Sequence, residues 1–229
     1  ADSSGNTSEI SDSLSLTIDT SLPGIPRVTT TETSTNDTTP TIEGIAEAGS
    51  TVTLFIDGTI TEVTATADGS GAFSITLPEK VNGTYDLTFT ARDGAGNTSS
   101  ESSVFSLTVD TIAPTEPSIT TTTSLTNDST PAIEGVAEAG STVELFNGDA
   151  SLGTTTADGT TGAYTITPAQ LSDGDYVLTV KATDAAGNIS TASDALSITV
   201  DATAPEQPAI TTTTTLTSNA TPTIEGTAE

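Results

Sequence analysis

The stretch Gly-Thr-Tyr-Asp-Leu-Thr-Phe-Thr-Ala-Arg at residues 83–92 places apolar side chains at every second position. Alternation with a period of two is typical of a β-strand that buries one face, and the apolar residues do not follow the spacing of a helix. The stretch at residues 174–183 repeats the pattern, as do shorter runs at 52–56, 73–77 and 105–109. The chain is therefore predicted to be built from strands.

Most of the chain is a tandem duplication. The pentapeptide at residues 93–97, Asp-Gly-Ala-Gly-Asn, recurs 91 residues later as Asp-Ala-Ala-Gly-Asn, and Ile42-Glu43-Gly44 recurs at 133–135 with the same offset. A fixed offset of this kind indicates repeated structural units. It predicts the tail of one copy (1–19), two complete copies (20–110 and 111–201) and the head of another (202–229), as in an excerpt from a longer array.

Each complete copy is predicted to hold seven short strands. In the second copy they lie near residues 117–123, 131–137, 142–147, 151–157, 162–167, 175–183 and 194–200. Seven strands in a unit of this length predict an all-β fold of tandem immunoglobulin-like sandwiches, and the approach to the sixth strand, 171–176, resembles a tyrosine corner. Because an odd number of antiparallel strands puts the two chain ends at opposite poles, the copies are expected to stack end to end.

Threonine-rich tracts lie at residues 120–123 and 211–215. A β-branched side chain packs well on a sheet surface, so these tracts are compatible with strands. A flexible or glycosylated linker is the alternative. The shortness of the tracts and their recurrence in register favour strands.

The composition excludes most catalytic chemistry. The chain has 31 Asp and Glu against 4 Lys and Arg, a net charge of -27, and no His, Cys, Met or Trp. Without imidazole or thiolate there is no common general base, no thiol nucleophile and no usual zinc, haem or iron–sulfur ligand set. Any bound metal is expected to be a hard cation that prefers oxygen.

The same charge argues against two classes of partner. An acidic surface repels phosphate backbones and anionic headgroups, so no nucleic acid and no direct membrane insertion are predicted. High charge with few aromatic residues also fits disorder, but the regular alternation rejects that interpretation. We expect a chain whose natural partners are cations and its own neighbouring repeats.

Acidic residues recur in three loops that the strand order brings to one pole of each copy. Several carboxylates at one pole repel each other, and the basic residues are too few to neutralise them. Calcium accepts six to eight oxygens and is the predicted ligand, with an ordinary Gly-Asn turn as the alternative for residues 93–97 and 184–188. The candidate ligands are Asp19, Asp68, Asp93, Asn97, Asp110, Asp158, Asp184, Asn188 and Asp201, followed by Glu47, Glu138, Asp37 and Asp128.

Three phrases resemble the Ig-like repeats of giant calcium-dependent bacterial adhesins that type I systems secrete. They are Gly-x-Ala-Glu-Ala-Gly-Ser-Thr-Val (44–52 and 135–143), Asp-x-Ala-Gly-Asn (93–97 and 184–188) and Val-Asp-x-x-Ala-Pro (109–114 and 200–205). The resemblance implies an extracellular extender, a monomeric rod that holds a distal ligand-binding domain away from the cell. It implies calcium ligands at Asp93, Asp110, Asp184 and Asp201.

One departure from the pattern concerns the first linker. Asp19 is followed by Thr-Ser-Leu-Pro and then by Gly24, which predicts a first joint looser than the second.

Two other functions compete with a calcium-stiffened spacer that has no enzymatic activity. A recognition module for a sugar or a host protein needs aromatic platforms, yet the chain has only 3 Tyr and 5 Phe. A glycoside hydrolase needs paired carboxylates, but here the acidic residues fall in repeated turns. The sequence favours the spacer.

Overall fold

The computed structural model describes residues 1–213 and 215–229, and within them the secondary structure consists of strands and turns. The chain forms two compact units, Ala1–Thr111 and Ile112–Glu229. No described helix is long and apolar enough to cross a membrane. Of the threonine tract at 211–215, Thr214 lies outside the described residues.

The first unit contains a sandwich of two sheets. The strands are β1 (Arg27–Val28), β2 (Ser34–Thr35), β3 (Thr41–Ile45), β4 (Thr51–Ile56), β5 (Thr59–Thr66), β6 (Ala72–Thr76), β7 (Gly83–Arg92) and β8 (Phe105–Val109). One sheet has the order β1-β3-β6 and the other β2-β8-β7-β4-β5. The alternating apolar residues fill the space between the sheets, with Leu54, Leu87 and Phe89 fully buried.

The second unit repeats this arrangement. Its strands are β9 (Ser118–Ile119), β10 (Leu125–Thr126), β11 (Ile133–Val136), β12 (Thr142–Asn147), β13 (Ala150–Thr156), β14 (Ala163–Ile166), β15 (Gly174–Thr183) and β16 (Leu196–Val200), followed by the short pair β17 (Ala209–Ile210) and β18 (Gly226–Thr227). The sheets are β14-β11-β9 and β10-β16-β15-β12-β13. The predicted all-β fold of tandem immunoglobulin-like sandwiches is confirmed.

The predicted first strand is wrong in one respect, because it is split in two. β9 pairs with β11 in the small sheet, whereas β10 pairs in parallel with β16 in the large sheet. Residues 120–124 pass from one sheet to the other, so the tract at 120–123 is not a strand. β1 and β2 divide in the same way in the first copy, which gives eight strands per copy where seven were predicted.

The sixth strand begins at the predicted tyrosine corner. The Tyr85 hydroxyl donates to the Val81 carbonyl at 2.9 Å, and the Tyr176 hydroxyl donates to the Ser172 carbonyl at 3.0 Å. Each bond fastens the start of the central strand, β7 or β15, to the loop that precedes it. The resemblance noted in the sequence is confirmed in both copies.

Two serines in each copy attach the loop before the last strand to the sixth strand. Ser102 N–H donates to the Phe89 carbonyl at 2.9 Å, and its Oγ accepts from Phe89 N–H at 3.1 Å. Ser99 makes the same pair of bonds with Ala91. Ser190 and Ser193 repeat the arrangement on Ala182 and Val180. All four serines are buried, so this loop continues the sheet where the last strand is absent.

Candidate cation-binding loops

Three loops lie together at one end of each copy, which we call the head pole. In the first copy they are residues 46–50, 67–71 and 93–97, and in the second 137–141, 157–162 and 184–188. Ala46 N–H donates to the Gly71 carbonyl at 2.8 Å, and Gly49 N–H donates to the Ala67 carbonyl at 2.9 Å. The third loop follows β7, whose last residue is in register with the first residue of β4. The predicted common pole of these loops is confirmed.

Asp93 organises the third loop of the first copy. Its Oδ1 accepts from the backbone N–H groups of Ala95, Gly96 and Asn97 at 2.9, 2.7 and 2.8 Å. Its Oδ2 accepts from Asn97 Nδ2 at 2.8 Å. These bonds favour the charged form and hold the pKa of the Asp93 carboxyl below its ordinary value, the Asn97 side chain contributing most. Gly96 has φ of 100°, which suits glycine.

Asp184 does the same in the second copy. Its Oδ1 accepts from the N–H groups of Ala186 and Asn188 at 2.8 and 2.9 Å, and its Oδ2 accepts from Asn188 Nδ2 at 2.8 Å. Asp2 and Asn6 form a third example near the start of the chain. Within their own loop, the aspartate and the asparagine of this motif therefore form a hydrogen-bonded turn, as in the alternative interpretation of residues 93–97 and 184–188.

Asp68 and Asp158 are also turn formers. Asp68 Oδ1 accepts from Ser70 N–H at 2.7 Å, Ser70 Oγ at 2.6 Å and Ala72 N–H at 3.0 Å. Asp158 Oδ1 accepts from Thr161 N–H at 2.7 Å and Thr161 Oγ1 at 2.8 Å. These bonds lower the pKa of both carboxyls, led by the Ser70 hydroxyl at Asp68 and by the Thr161 N–H at Asp158.

The incoming chain meets the head pole of the first copy at Asn97. Besides its bond to Asp93, Asn97 Nδ2 donates to the Asp19 carbonyl at 3.1 Å. One amide thus places a backbone oxygen of Asp19 beside the Asp93 carboxylate. The Asp19 carboxylate accepts from Ser21 N–H at 2.9 Å.

Glutamate in the first head loop also holds the linker of its own copy. Glu47 Oε2 accepts from Gly24 N–H at 3.4 Å. Glu229 Oε2 accepts from Glu206 N–H at 3.1 Å, which is the same pair displaced by two repeats. The Glu138 carbonyl accepts two hydrogen bonds that shape its turn, one from Ser141 N–H and one from Ser141 Oγ.

The last residue of each copy lies at the opposite end, the tail pole, where a side chain missed by the sequence reasoning holds it. Asn82 Nδ2 donates to Asp110 Oδ1 at 3.2 Å, and Asn82 Oδ1 accepts from Thr111 N–H at 3.1 Å. In the second copy the Asp173 carboxylate accepts from Ala202 N–H at 2.8 Å and from the Thr203 hydroxyl. These bonds lower the pKa of Asp173, with the Thr203 hydroxyl contributing most. Asp201 Oδ1 accepts from Thr203 N–H at 3.3 Å.

The second-rank candidates Asp37 and Asp128 belong to turns at the tail pole. Asp37 Oδ1 accepts from Thr39 N–H at 2.8 Å and from Thr39 Oγ1 at 3.1 Å. Asp128 makes the same two bonds with Thr130. Both carboxylates stabilise the turn that precedes the third strand of their copy.

The donor set at the head pole is chemically suitable for calcium. Asp93 Oδ2 and the Asp19 carbonyl oxygen lie in one small region, because both accept from Asn97 Nδ2, and oxygens are the ligands that calcium prefers. In the part of the chain that the structure describes, no three Asp or Glu side chains are grouped as a metal site. A calcium ion there would be held by one or two carboxylates supplemented by carbonyl, amide and water oxygens. The assignment of the ligands stays a prediction.

Known proteins resemble this chain at the level of the repeat. The family model of the bacterial Ig-like domain matches residues 28–111 and 114–202. Chitinase A1 of Niallia circulans is 38% identical over 125 residues, which are 50% of this chain and 17% of that enzyme. The chain therefore corresponds to a small part of that relative. The repeat boundaries at residues 19, 110 and 201 stay predictions.

Comparison with solved structures concerns the fold alone. Fibronectin(III)-like modules of Clostridium thermocellum CbhA superpose with a TM-score of 0.53 at 18% identity, over 77% of this chain and 94% of theirs. The BSP domain of a biofilm-associated protein gives a TM-score of 0.33 at 26% identity, over 80% of this chain and 30% of its own. The first of these comparisons shows a common sandwich architecture.

Proposed function

The chain belongs to the bacterial Ig-like domain family, and from that premise we propose that it is a non-enzymatic spacer of a large extracellular bacterial surface protein. In this role the repeats supply reach, and calcium at the head poles stiffens the connection between neighbouring repeats. The partners are the adjoining repeats and a distal ligand-binding domain of the parent protein. The single observation that carries the proposal is the attachment of the incoming linker to a head loop of the first copy, where Asn97 Nδ2 donates to the Asp19 carbonyl.

The distribution of aromatic residues supports a spacer over a recognition module. Phe73, Phe89 and Tyr164 are buried in the cores. The hydroxyls of Tyr85 and Tyr176 are used in the tyrosine corners. Few aromatic faces are left for stacking on a sugar, which is the contact that a carbohydrate-binding surface depends on.

The similarity to a part of a chitinase also fits a spacer. The shared region is 17% of that enzyme, and the acidic residues of this chain serve in turns. A module that holds a functional domain away from the rest of the protein is useful in an adhesin and in a secreted hydrolase. The parent of this chain is therefore proposed to carry its specific activity in another domain.

Calcium binding is proposed at the head pole because acidic residues from three loops lie at that end of each copy, and like charges repel each other. Glu47, Asp68 and Asp93 belong to three adjoining loops of the first copy, and Glu138, Asp158 and Asp184 repeat them in the second. A bound divalent cation would lower this repulsion and draw carbonyl oxygens of the linker, such as that of Asp19, toward the loop. Binding to the folded state alone would also raise stability by linkage.

We expect calcium to raise the melting temperature of the whole chain and to lower the flexibility between repeats. Thermal unfolding and small-angle X-ray scattering in 5 mM CaCl2, each compared with excess EDTA at matched ionic strength, measure the two effects. Free calcium at about 100 times its Kd would raise the free energy of unfolding by roughly 2.7 kcal/mol. Identical curves in the two buffers would exclude calcium stiffening.

Matched variants locate the site. Asp93→Asn and Asp184→Asn each remove one charge from a head loop, and calorimetric titration should show weaker calcium binding for both. Asp149→Asn removes an equal charge from the exposed turn at the opposite end of β12 and serves as the control. Equal loss of affinity in all three variants would indicate a diffuse ion atmosphere around an acidic chain.

A further inference from the structure

Both arginines of the chain lie at the head pole of the first copy. Arg92 is the last residue of β7 and directly precedes Asp93. Its guanidinium covers Gly96, since a methyl group built on that glycine would lie 3.0 Å from Arg92 Nη2. Arg27 is in register with Ile45, next to the first head loop, and lines a shallow recess together with Gly24 and Glu47.

The second copy carries no basic residue at these positions. Ser118 stands in the place of Arg27, and Thr183 stands in the place of Arg92. The linker of the second copy adds an acid instead, because Glu116 replaces Ile25 and accepts from Thr191 Oγ1 at 3.1 Å. The acids of the three head loops are the same in the two copies, so the balance of charge at the head pole differs.

Lys181 does not restore this balance in the second copy. Its ammonium lies 5.7 Å from the centroid of the Phe146 ring on the outer face of the large sheet. Its neighbour in register on β12 is Glu144, whose charge is opposite. Lys80 is likewise held over the Tyr85 ring at 5.0 Å, near the tail pole of the first copy.

We infer that Arg27 and Arg92 act as built-in cations, so that the head pole of the first copy binds calcium more weakly than the head pole of the second copy. This inference rests on the proposed function. A fixed guanidinium beside the Asp93–Asn97 loop neutralises part of the field that attracts a divalent ion and repels the ion itself. If the guanidinium and the calcium ion are several ångströms apart in water, their repulsion should make the Kd of the first head pole roughly five- to tenfold higher than that of the second. The difference should be smaller at high salt.

The test uses the full chain, isotope-labelled, with calcium chloride as the only added ligand. Backbone amide resonances of Gly96 and Asn97 report on the first head pole, and those of Gly187 and Asn188 report on the second. We expect the second pair to reach saturation at a calcium concentration roughly five- to tenfold lower than the first. In the double variant Arg27→Ser with Arg92→Thr, the resonances of Gly96 and Asn97 should reach saturation at the same lower calcium concentration as those of Gly187 and Asn188.

The reciprocal variant, Ser118→Arg with Thr183→Arg, should weaken binding at the second head pole. Lys80→Thr removes the same charge from the tail pole of the first copy and should leave both titrations unchanged, which controls for net charge. Circular dichroism melting verifies that each variant is folded.

The outcomes separate the two proposals. If neither loop responds to calcium in any variant, the proposed function fails. If both loops respond with equal affinity in the parent chain, or if the order of the two affinities survives exchange of the arginines, calcium binding stands and the role of the arginines is refuted.

Discussion

Gly44 and Gly135 stand where an aromatic ring from the neighbouring strand crosses the small sheet. Gly44 is in register with Phe73, and Gly135 is in register with Tyr164. A methyl group built on Gly135 would lie 2.0 Å from the Ser118 carbonyl oxygen and 2.2 Å from the Tyr164 hydroxyl oxygen. Glycine therefore recurs in the Ile-Glu-Gly sequence of both copies because no side chain fits at that position.

We expect Gly135→Ala to destabilise the second unit by about 3 kcal/mol, because the added methyl meets backbone as well as a side chain. Gly159→Ala is the matched control, since no atom lies within 4 Å of its added methyl group. Urea unfolding of the two variants measures the difference. A similar small effect for both would contradict the steric explanation.

Tyr164 makes the stability of the second copy depend on pH in the alkaline range. Phe73, at the same position of the first copy, has no group that ionises. The Tyr164 hydroxyl donates to the Ser118 carbonyl at 2.9 Å, and burial raises its pKa from 10.0 to about 12. The unfolded chain therefore loses this proton at lower pH than the folded chain. The contribution of Tyr164 to stability is complete below pH 10 and is lost as the pH rises toward about 12.

Tyr164→Phe isolates that contribution. At neutral pH the variant should be less stable than the parent by about 1 kcal/mol, the usual net value of a hydrogen bond. Between pH 10 and about 12 the gap should close, because only the parent has this phenol to ionise. Urea midpoints measured across that range test it; a gap that stays constant would mean that Tyr164 titrates alike in both states.

At the scale of elements, the alternating patterns identified the long strands well. The bounds of β15 were predicted to within one residue, because a strand buried on one face must alternate. The split of the first strand was missed, because residues 120–124 are as rich in β-branched threonine as a strand is. Only the tertiary structure decides which sheet such a segment joins. Asn82 was missed because its contact with Asp110 depends on a fold that no local pattern encodes.

The serine pairs are another element that the sequence did not reveal. Ser193→Ala removes the acceptor of Val180 N–H, which lies in the buried part of β15. Leaving that donor unsatisfied should cost about 1 to 3 kcal/mol. The exposed Ser197→Ala on β16 is the control and should change stability by less than about 0.5 kcal/mol. Amide exchange at Val180 would report the loss directly, and unchanged protection there would refute the role.

At the scale of the whole molecule, the net charge of -27 opposes folding through self-repulsion. We expect sodium chloride to raise the melting temperature between 10 and 200 mM, because the Debye length falls from about 30 Å toward 8 Å over this range. Calcium at equal ionic strength should raise it further if specific sites exist. A melting temperature that falls with added sodium chloride would contradict the repulsion argument.

At this scale the sequence predicted the placement of the acidic loops better than it predicted the contacts of their side chains. It placed the acidic loops at one pole correctly, because strand order alone determines which loops share an end. It offered a turn at residues 93–97 as the alternative to a metal site, but it did not anticipate that Asp68 and Asp158 accept several hydrogen bonds from their own turns. Carboxylates with two oxygens can serve a turn and a cation together, and composition cannot separate the two roles.

The parallel pairing of the second strand with the last strand of each copy determines how that copy responds to tension. β2 pairs with β8 through Ser34↔Thr108 and Thr35↔Val109, and β10 pairs with β16 in the same way. When the two ends of a copy are pulled apart, these adjacent parallel strands slide lengthwise, so their hydrogen bonds bear the load simultaneously in shear. Rupture of this pairing then requires several hydrogen bonds to break at once, so we expect each copy to resist extension more strongly than if the bonds broke one at a time.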